Sequence, residues 1–545
     1  MTTLASVPDL RSAPPIVRPR PRVPAWTLPP VLFAVANAVA FFVIRPDVND
    51  LWAARARASA VSNGVGLFYW FGWFGGGSTP GNYSVVTPYL CSWIGTELVG
   101  ALAAVAATVL CVVAVRGTRH PRAASFVAAF VVSTNLWSGR IPFLLGSALA
   151  VAAVIAVRRK QRWRTVGFTL LSIMASPVSG AFIAVGLTGT FLCTRTRAYR
   201  PIIGWAVGTA VVAIGGVGLL FGAPGPEPFS GTLLLELVAS LLLLIVAARP
   251  PDHIRTTLWI SLITCLALFA VPNGMGSNFS RFVWFCLPVV VMAVGRASRR
   301  LLTLAVLPLI LVGASGTVTD LRNAERPVSS VDYYTSLAGR LDRIPNLENY
   351  RVEVVNHGAH AGYDALLSHA SLARGWETQE DIHLNAALQK DPLDPTTYKV
   401  WLDNNAVGYV ALPTSHVGGG SYPEYTLVTE HAATYLHRIW ANADWELFRV
   451  ADPTPIVGSP GRIAGHTQST MTVTMPCACS VNVRVRYSKF LSAALQVPSP
   501  TAPQRTVDAA VDAASVVDDG TGWTTLTTTR AGTFTLRGSL GGLLR

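Results

Sequence analysis

The sequence predicts a polytopic α-helical membrane bundle of about eleven spans, followed by an exported α/β domain and an exported β-sandwich. Three observations lead to this fold class. The 545 residues are 51% hydrophobic but only 13% charged, which is about half the charged fraction of a soluble globular protein. Apolar runs long enough to cross a bilayer recur up to residue 317. Basic and weakly charged loops alternate between these runs, as expected for a multi-pass protein.

The first span is predicted over residues 26–44, because this run is long enough for the hydrocarbon core and has no small-residue cleavage site typical of a signal peptide. The Pro-rich segment before it, 1–24, predicts a disordered cytoplasmic tail. The membrane domain is predicted over 25–317. Its further spans are predicted at 96–115, 124–138, 141–157, 165–178, 180–194, 202–222, 232–248, 256–272, 282–295 and 300–317.

Charge sets the predicted orientation. Before residue 317 the chain has 25 Lys and Arg but 7 Asp and Glu, whereas the remainder has 18 and 22. The net charge of +14 therefore belongs to the membrane half, and this argues against a nucleic-acid-binding protein, which would need a basic face on a soluble domain. Every second loop is basic, which places the N-terminus in the cytoplasm. An odd number of spans then places the C-terminal domain on the outer face.

Few polar groups are predicted on the outer face, and these are the candidate site residues. The first outer loop, 45–95, contains Asp47 and Asp50, a short helix over 51–60, and an aromatic and glycine-rich run, 68–77, expected at the depth of the lipid headgroups. The other candidates are Glu97, Arg140, Glu236, Asn278 and Arg281. Two guanidiniums at helix ends suit a lipid phosphate, either of a specific substrate or of ordinary anionic headgroups. Glu236 lies within a span, so it is either functional or reaches the nearby interface.

The exported half is predicted to contain two domains, which differ in their secondary-structure pattern. Alternating helix and strand patterns predict an α/β domain over 318–452, and Thr-rich strands predict a β-sandwich over 453–545. The histidines His357, His360, His369 and His383 do not have the spacing of a metal site, so no metal site is predicted there. Cys477 and Cys479 form a Cys-x-Cys pair whose role the sequence leaves open.

Short motifs carry a resemblance to known proteins. They are Tyr83–Val85, Arg140–Gly146, Ala175–Gly180, Gly276–Arg281, Ala373–Glu377, Trp401–Asn405 and Val410–Leu412. With them the chain resembles a bacterial family of multi-spanning membrane proteins without an assigned activity. The architecture also looks like that of GT-C glycosyltransferases, which combine a helical bundle, a long first outer loop with an acidic residue or pair, and often an outer C-terminal domain.

The GT-C resemblance implies a membrane glycosyltransferase of the bacterial plasma membrane. Such an enzyme takes a sugar from a polyprenyl-phosphate donor to an envelope glycan or glycolipid. Asp50 is then the first candidate for the base and Asp47 the second, while either could instead hold a divalent metal. Arg140 and Arg281 would stabilise the leaving phosphate. The chain has Asp-Val-Asn-Asp where many GT-C members have adjacent acids, which leaves the identity of the base open.

Two other classes of protein stay open from the sequence. A transporter or lipid flippase would favour internal repeats and charged residues deep in several spans, whereas only Glu236 is deep and no clear repeat is present. A non-enzymatic scaffold or assembly protein of the cell envelope fits the large exported region equally well. Mutation of the candidate acids would separate these classes from an enzyme.

Overall fold

The computed structural model describes residues 24–222, 225–355, 358–415, 419–430, 433–496 and 513–543. The predicted N-terminal tail lies outside the described residues except for Pro24. The first part of the chain is helical, and each predicted span overlaps a helix. The helices are α1 Leu28–Ile44, α2 Asn49–Ser62, α3 Thr87–Ile94, α4 Thr96–Val115, α5 Pro121–Trp137, α6 Ile141–Arg158, α7 Arg162–Ala175, α8 Pro177–Cys193, α9 Arg200–Phe221, α10 Gly231–Ala247, α11 Asp252–Ala270, α12 Leu287–Val294 and α13 Arg299–Ala324.

Seven helical segments of the described chain are long and apolar enough to cross a membrane by length and composition. They are Ala25–Ile44, Thr96–Val115, Ile141–Arg158, Arg200–Phe221, Asp252–Ala270, Gly276–Val294 and Arg299–Ala324. Two shorter apolar helices, α8 and α10, lie among them. The chain is therefore a multi-pass membrane protein, and the predicted count of about eleven spans is not confirmed.

The 45–95 loop is more deeply buried than the sequence suggested. Its helix α2 agrees with the short helix predicted there. The aromatic run was expected at headgroup depth, but Trp70, Trp73 and Phe74 are at most 1% exposed and share a core with the C-terminal region. These rings therefore pack against a protein surface, which removes their apolar area from water. Their depth relative to the lipid headgroups stays a prediction.

A mixed sheet forms the first part of the C-terminal region. Its strand order is β2-β1-β3-β5-β4, with β1 parallel to both β2 and β3, and with β5 antiparallel to β3 and β4. The strands are β1 Arg351–Val354, β2 Ser371–Leu372, β3 Val407–Pro413, β4 Leu436–Ala441 and β5 Trp445–Val450. The helices beside them are α14 Thr335–Leu341, α15 His360–Ala365, α16 Thr378–Leu384, α17 Pro395–Asn404 and α18 Tyr422–Thr429.

The last part of the chain is β-rich. A three-stranded sheet has the order β10-β11-β8 and a four-stranded sheet has the order β6-β7-β12-β9. Alternate apolar residues of both sheets form one core, as the period of a half-buried strand predicts. The elements are β6 Arg462–His466, β7 Thr470–Met475, β8 Ser480–Arg486, β9 Leu491–Leu495, β10 Ala514–Asp518, β11 Trp523–Thr528, β12 Gly532–Gly538 and α19 Leu540–Leu543. Cys477 and Cys479 are joined by a disulfide.

Candidate functional site

Three of the predicted site residues meet at one end of the helical bundle. Asp50 lies in the first turn of α2, where the positive end of the helix dipole favours a carboxylate. Its Oδ2 atom lies 3.3 Å from Nε of Arg140 and 3.5 Å from Nη2 of Arg281. Because these residues are far apart in sequence, only the folded bundle places one carboxylate between two guanidiniums.

Arg140 is placed by a tight turn between α5 and α6. Gly139 has φ +75°, and a Cβ atom there would lie 2.4 Å from the backbone nitrogen of Leu51. Only glycine therefore allows the turn to pack against the start of α2. The Arg140 Nη2 atom lies 3.6 Å from Asp320 Oδ2, and Nη1 donates to Asn135 Oδ1 at 3.4 Å. Burial and the nearby Arg281 lower the pKa of Arg140, while Asp50 and Asp320 oppose this shift.

Arg281 follows a 3₁₀ turn, Gly276–Phe279, that includes the predicted residue Asn278. The turn packs against Glu227, whose Oε1 accepts a hydrogen bond from Ser277 Oγ at 2.9 Å. Burial raises the pKa of Glu227, although the bond from Ser277 and the charge of Arg281 lower it. Arg281 is 22% exposed, compared with 15% for Arg140. Its guanidinium is therefore the more accessible of the two.

The second predicted acid belongs to a separate cluster centred on Arg55. The Arg55 guanidinium lies 3.4 Å from Asp47 Oδ1 and 2.8 Å from Glu97 Oε1. It also lies over the Trp52 ring, 4.4 Å from the ring centroid. Burial raises the pKa of Asp47, although Arg55 lowers it. The structure thus groups Asp47 with Glu97 and groups Asp50 with the two phosphate-binding candidates.

Asp364 of α15 adds a further carboxyl group near Arg55. Burial raises its pKa from 3.8 to about 6, and Arg55 opposes the shift. Between these two pH values the native state binds more protons than the unfolded state, so Asp364 lowers stability as pH rises through this window. Above pH 6 the cost is complete, on the order of 3 kcal/mol for a shift of about two units.

Asp364→Asn is therefore expected to raise the unfolding temperature at pH 7.5 and to change it little at pH 4, where the wild-type carboxyl is protonated. Thermal unfolding of the purified protein at both pH values measures this difference. Asp444→Asn, at an exposed carboxyl, is the matched control. An equal effect of Asp364→Asn at both pH values would contradict the raised pKa of Asp364.

The C-terminal region holds the start of α2 through Asn49 and His360. The His360 Nδ1–H donates to the Asn49 carbonyl oxygen at 3.0 Å, because a carbonyl oxygen only accepts. The His360 amide donates to Asn49 Oδ1 at 3.4 Å, and Asn49 Nδ2 donates to the Gly358 carbonyl oxygen at 3.1 Å. The imidazole stacks on Trp376, with ring centroids 5.0 Å apart. Burial lowers the pKa of His360, so the ring is neutral near pH 7.

A buried arginine fixes the middle of α2. Arg57 is 1% exposed and forms an ion pair with Glu377. Its guanidinium lies 4.9–5.9 Å from the ring centroids of four aromatic residues, namely Trp70, Trp73, Tyr83 and Trp376. Cation–π attraction is strongest for a desolvated cation. Sequence reasoning missed this cluster, although an arginine within an Ala-rich helix was a signal for it.

Glu236 lies apart from these clusters. It is exposed on the outer surface of α10, where its carbonyl oxygen accepts a hydrogen bond from Ser240 Oγ at 2.7 Å. A divalent metal does not fit at Asp50, because two guanidiniums already face the carboxylate and would repel a cation. Within the described ranges, no group of three or more His, Cys, Asp or Glu residues could hold a metal ion. His357 lies outside the described residues.

An apolar cavity of about 500 Å³ lies inside the bundle. It is lined by residues of α4, α6, α8, α11 and the 282–294 segment, including Phe182 and Phe282. The centroids of these two rings are 5.0 Å apart, and Phe182 packs edge-on against Phe143. The Arg281 guanidinium lies 5.8 Å from the Phe143 centroid. A series of ring contacts, from Phe143 through Phe182 to Phe282, therefore connects the charged cluster with the wall of the cavity.

Comparison with known proteins adds little to this geometry. No protein-family model matches the chain, and no curated protein matches it. Among solved structures, it is similar to the archaeal oligosaccharyltransferase AglB from Archaeoglobus fulgidus, solved in complex with an inhibitory peptide and a dolichol-phosphate. The alignment has 12% sequence identity and a TM-score of 0.43, and it covers 71% of this chain and 69% of the other. A similarity of this size does not establish a shared function.

Proposed function

We propose that this protein is a GT-C-type glycosyltransferase that moves a sugar from a polyprenyl-phosphate donor to an envelope glycan or glycolipid. One observation carries the proposal: a single carboxylate, Asp50, lies between two arginines at one end of a bundle that contains an apolar cavity. The proposal takes these groups as the base, the phosphate ligands and the room for a lipid chain.

The proposed chemistry assigns one role to each charge. Arg140 and Arg281 bind the donor phosphate, and in doing so they release Asp50 from its two ion pairs. Asp50 then takes the proton of the acceptor hydroxyl. The hydroxyl oxygen forms a bond to the anomeric carbon, while the bond from that carbon to the phosphate oxygen breaks. The electron pair leaves with the polyprenyl phosphate, whose negative charge the two guanidiniums stabilise.

The apolar cavity supports a lipid-linked donor rather than a soluble nucleotide sugar. Its volume of about 500 Å³ lies within the range of ligand-binding cavities in proteins. The ring contacts from Phe143 through Phe182 to Phe282 lead from Arg281 to the wall of this volume. An isoprenoid chain lying along these rings would extend from a phosphate at Arg281 into the apolar interior.

The proposal includes a topology. We place about eleven spans in the plasma membrane of a bacterium, with the N-terminus in the cytoplasm and the 318–452 and 453–545 domains outside. The basic loops support this orientation. Asp47, Glu97 and Asn278 lie at the same end of the bundle as Asp50 and would contact the donor or the acceptor. Glu236, on which a transporter would depend, is exposed on α10, so no specific observation favours transport.

The test is replacement of Asp50 by asparagine, which keeps the shape of the side chain and removes the base. We expect transfer to fall by about 10²–10⁴-fold, the usual contribution of a general base. Mass spectrometry of envelope glycans and lipid-linked sugars, in cells that carry the variant as their only copy, measures the loss. The matched controls are Asp47→Asn, expected to have a smaller effect, and Glu236→Gln, expected to have none.

Unchanged glycans and lipid-linked sugars in the Asp50→Asn strain, with the protein inserted at the wild-type level, would overturn the enzyme assignment. A stronger loss in Asp47→Asn than in Asp50→Asn would move the base to the Arg55 cluster. If the Asp50→Asn protein were lost from the membrane fraction, Asp50→Glu would be compared with the wild type in its place. Glutamate keeps the charge that the two arginines require.

A further inference from the structure

A large groove opens on the surface of the bundle, away from Asp50. It has a volume of about 1050 Å³ and is lined by Leu170 of α7, Phe191 of α8, and Gly204, Trp205, Gly208 and Val212 of α9, among others. We call it the α9 groove. Trp205 is 51% exposed and Val212 is 75% exposed. Such large apolar side chains on the outside of a membrane bundle face lipid.

One end of the groove is strongly basic. Arg197 and Arg200 line it directly, and the Arg162 guanidinium lies 4.3 Å from the Trp205 ring centroid. Within the described part of the chain, none of these three arginines forms an ion pair with a carboxylate. The groove therefore pairs an apolar channel with three uncompensated positive charges, which is the charge pattern of an anionic lipid headgroup site.

The length of the channel fits one leaflet. From Arg200 to Val212 the helix α9 rises about 18 Å at 1.5 Å per residue. Half of a hydrocarbon core is about 15 Å thick. Gly204 and Gly208 have no side chains to fill the channel along α9. A Cβ added at Gly208 would meet no atom within 4 Å. The acyl chains of a glycerophospholipid fit this span, whereas a longer polyprenyl chain would extend beyond it.

The site lies at the opposite end of the bundle from the proposed catalytic cluster. The helix α6 begins after Arg140, beside Asp50, and ends at Arg158, close in sequence to Arg162. We propose that the α9 groove binds an anionic glycerophospholipid, with its phosphate on Arg162, Arg197 and Arg200 and with an acyl chain along Gly204, Gly208 and Val212. This inference does not depend on the proposed glycosyltransferase activity.

The test measures lipid retained by the intact protein. The full chain is purified in detergent, phosphatidylglycerol or phosphatidylcholine with identical acyl chains is added, and bound lipid is counted by native mass spectrometry. Wild-type protein is expected to retain phosphatidylglycerol preferentially. The triple variant R162Q/R197Q/R200Q should bind it roughly a hundredfold more weakly, at about fivefold per arginine. Gly208→Leu should weaken it as well, by filling the channel.

Matched controls distinguish lipid binding in the α9 groove from a general effect of lowering the positive charge. The variant R116Q/R119Q/R122Q removes three charges from another basic loop, and Gly216→Leu adds the same side chain to α9 outside the groove, at a position that also has open space. Both should retain phosphatidylglycerol like the wild type. Equal retention of the two lipids by the wild type, an equal loss in both triple variants, or displacement of phosphatidylglycerol by an equimolar polyprenyl phosphate would each overturn the proposal.

Discussion

Arg281→Met is expected to lower glycosyl transfer by about 10²–10³-fold, the usual cost of removing one donor that stabilises the leaving charge. Arg281 contacts Asp50 Oδ2 at 3.5 Å, and it is the more exposed of the two arginines. Its replacement therefore changes the site with little effect on packing. Arg140 is the less suitable target, because it also pairs with Asp320, and its loss would leave that carboxylate without its partner.

The measurement follows lipid-linked sugars and envelope glycans in the same strains as the Asp50 variants. Arg281→Lys is expected to be intermediate, because lysine keeps the charge but lacks the planar fork that binds a phosphate through two parallel bonds. Arg300→Met, in the first turn of α13 at the other end of the bundle, is the matched control and should leave transfer unchanged. If Arg281→Met and Arg300→Met behaved alike, Arg281 would have no part in the site.

The sequence alone allowed three charged residues of the membrane half to be chosen as candidates for one site. Only seven acids occur before residue 317, and the bilayer makes each one costly unless it has a partner. Asp50, Arg140 and Arg281 were therefore selected by scarcity and by their position at helix ends. The structure brings these three together, while it places Asp47 and Glu97 with Arg55 and leaves Glu236 exposed.

The contribution of the C-terminal region to the site was not predictable. His360 binds Asn49 across 311 positions of sequence, and no local pattern marks a contact of that range. The same reason explains why the packing of the aromatic run against the C-terminal region was not predicted. An apolar ring has the same local signature whether it faces a headgroup or a second part of the chain. The count of about eleven spans is not confirmed for a different reason, since helices of 14–17 residues lie at the limit of what length and composition decide.

Buried charge in the C-terminal region had a signal that sequence reasoning passed over. Arg351 and Glu353 interrupt the strand β1, all of whose residues are buried. A charged residue on a strand that is buried on both faces requires a partner. Arg374 and Glu377, both in the motif Ala373–Glu377, are likewise buried. The motif thus marks the ionic contacts that hold the C-terminal region together and against the 45–95 loop.

Arg374 is the centre of the most deeply buried of these contacts. Its Nε and Nη2 atoms each lie 2.7 Å from an Asp381 oxygen, and Nη1 lies 3.2 Å from Glu424 and 3.5 Å from Glu353. All four side chains are at most 1% exposed. Burial and the neighbouring Glu424 raise the pKa of Glu353, and burial raises the pKa of Glu424. One guanidinium therefore stabilises three carboxyl groups that water does not reach.

Arg374→Met is expected to destabilise the C-terminal region by about 3–5 kcal/mol, because it leaves buried acids without their counter-charge. That cost is a large part of the whole stability of a typical domain. Thermal unfolding and limited proteolysis of the full chain measure it. Lys399→Met breaks a partly exposed pair with Asp403, for which the expected cost is below about 1 kcal/mol. If the two variants unfolded at the same temperature, the buried cluster would contribute no more than a surface ion pair.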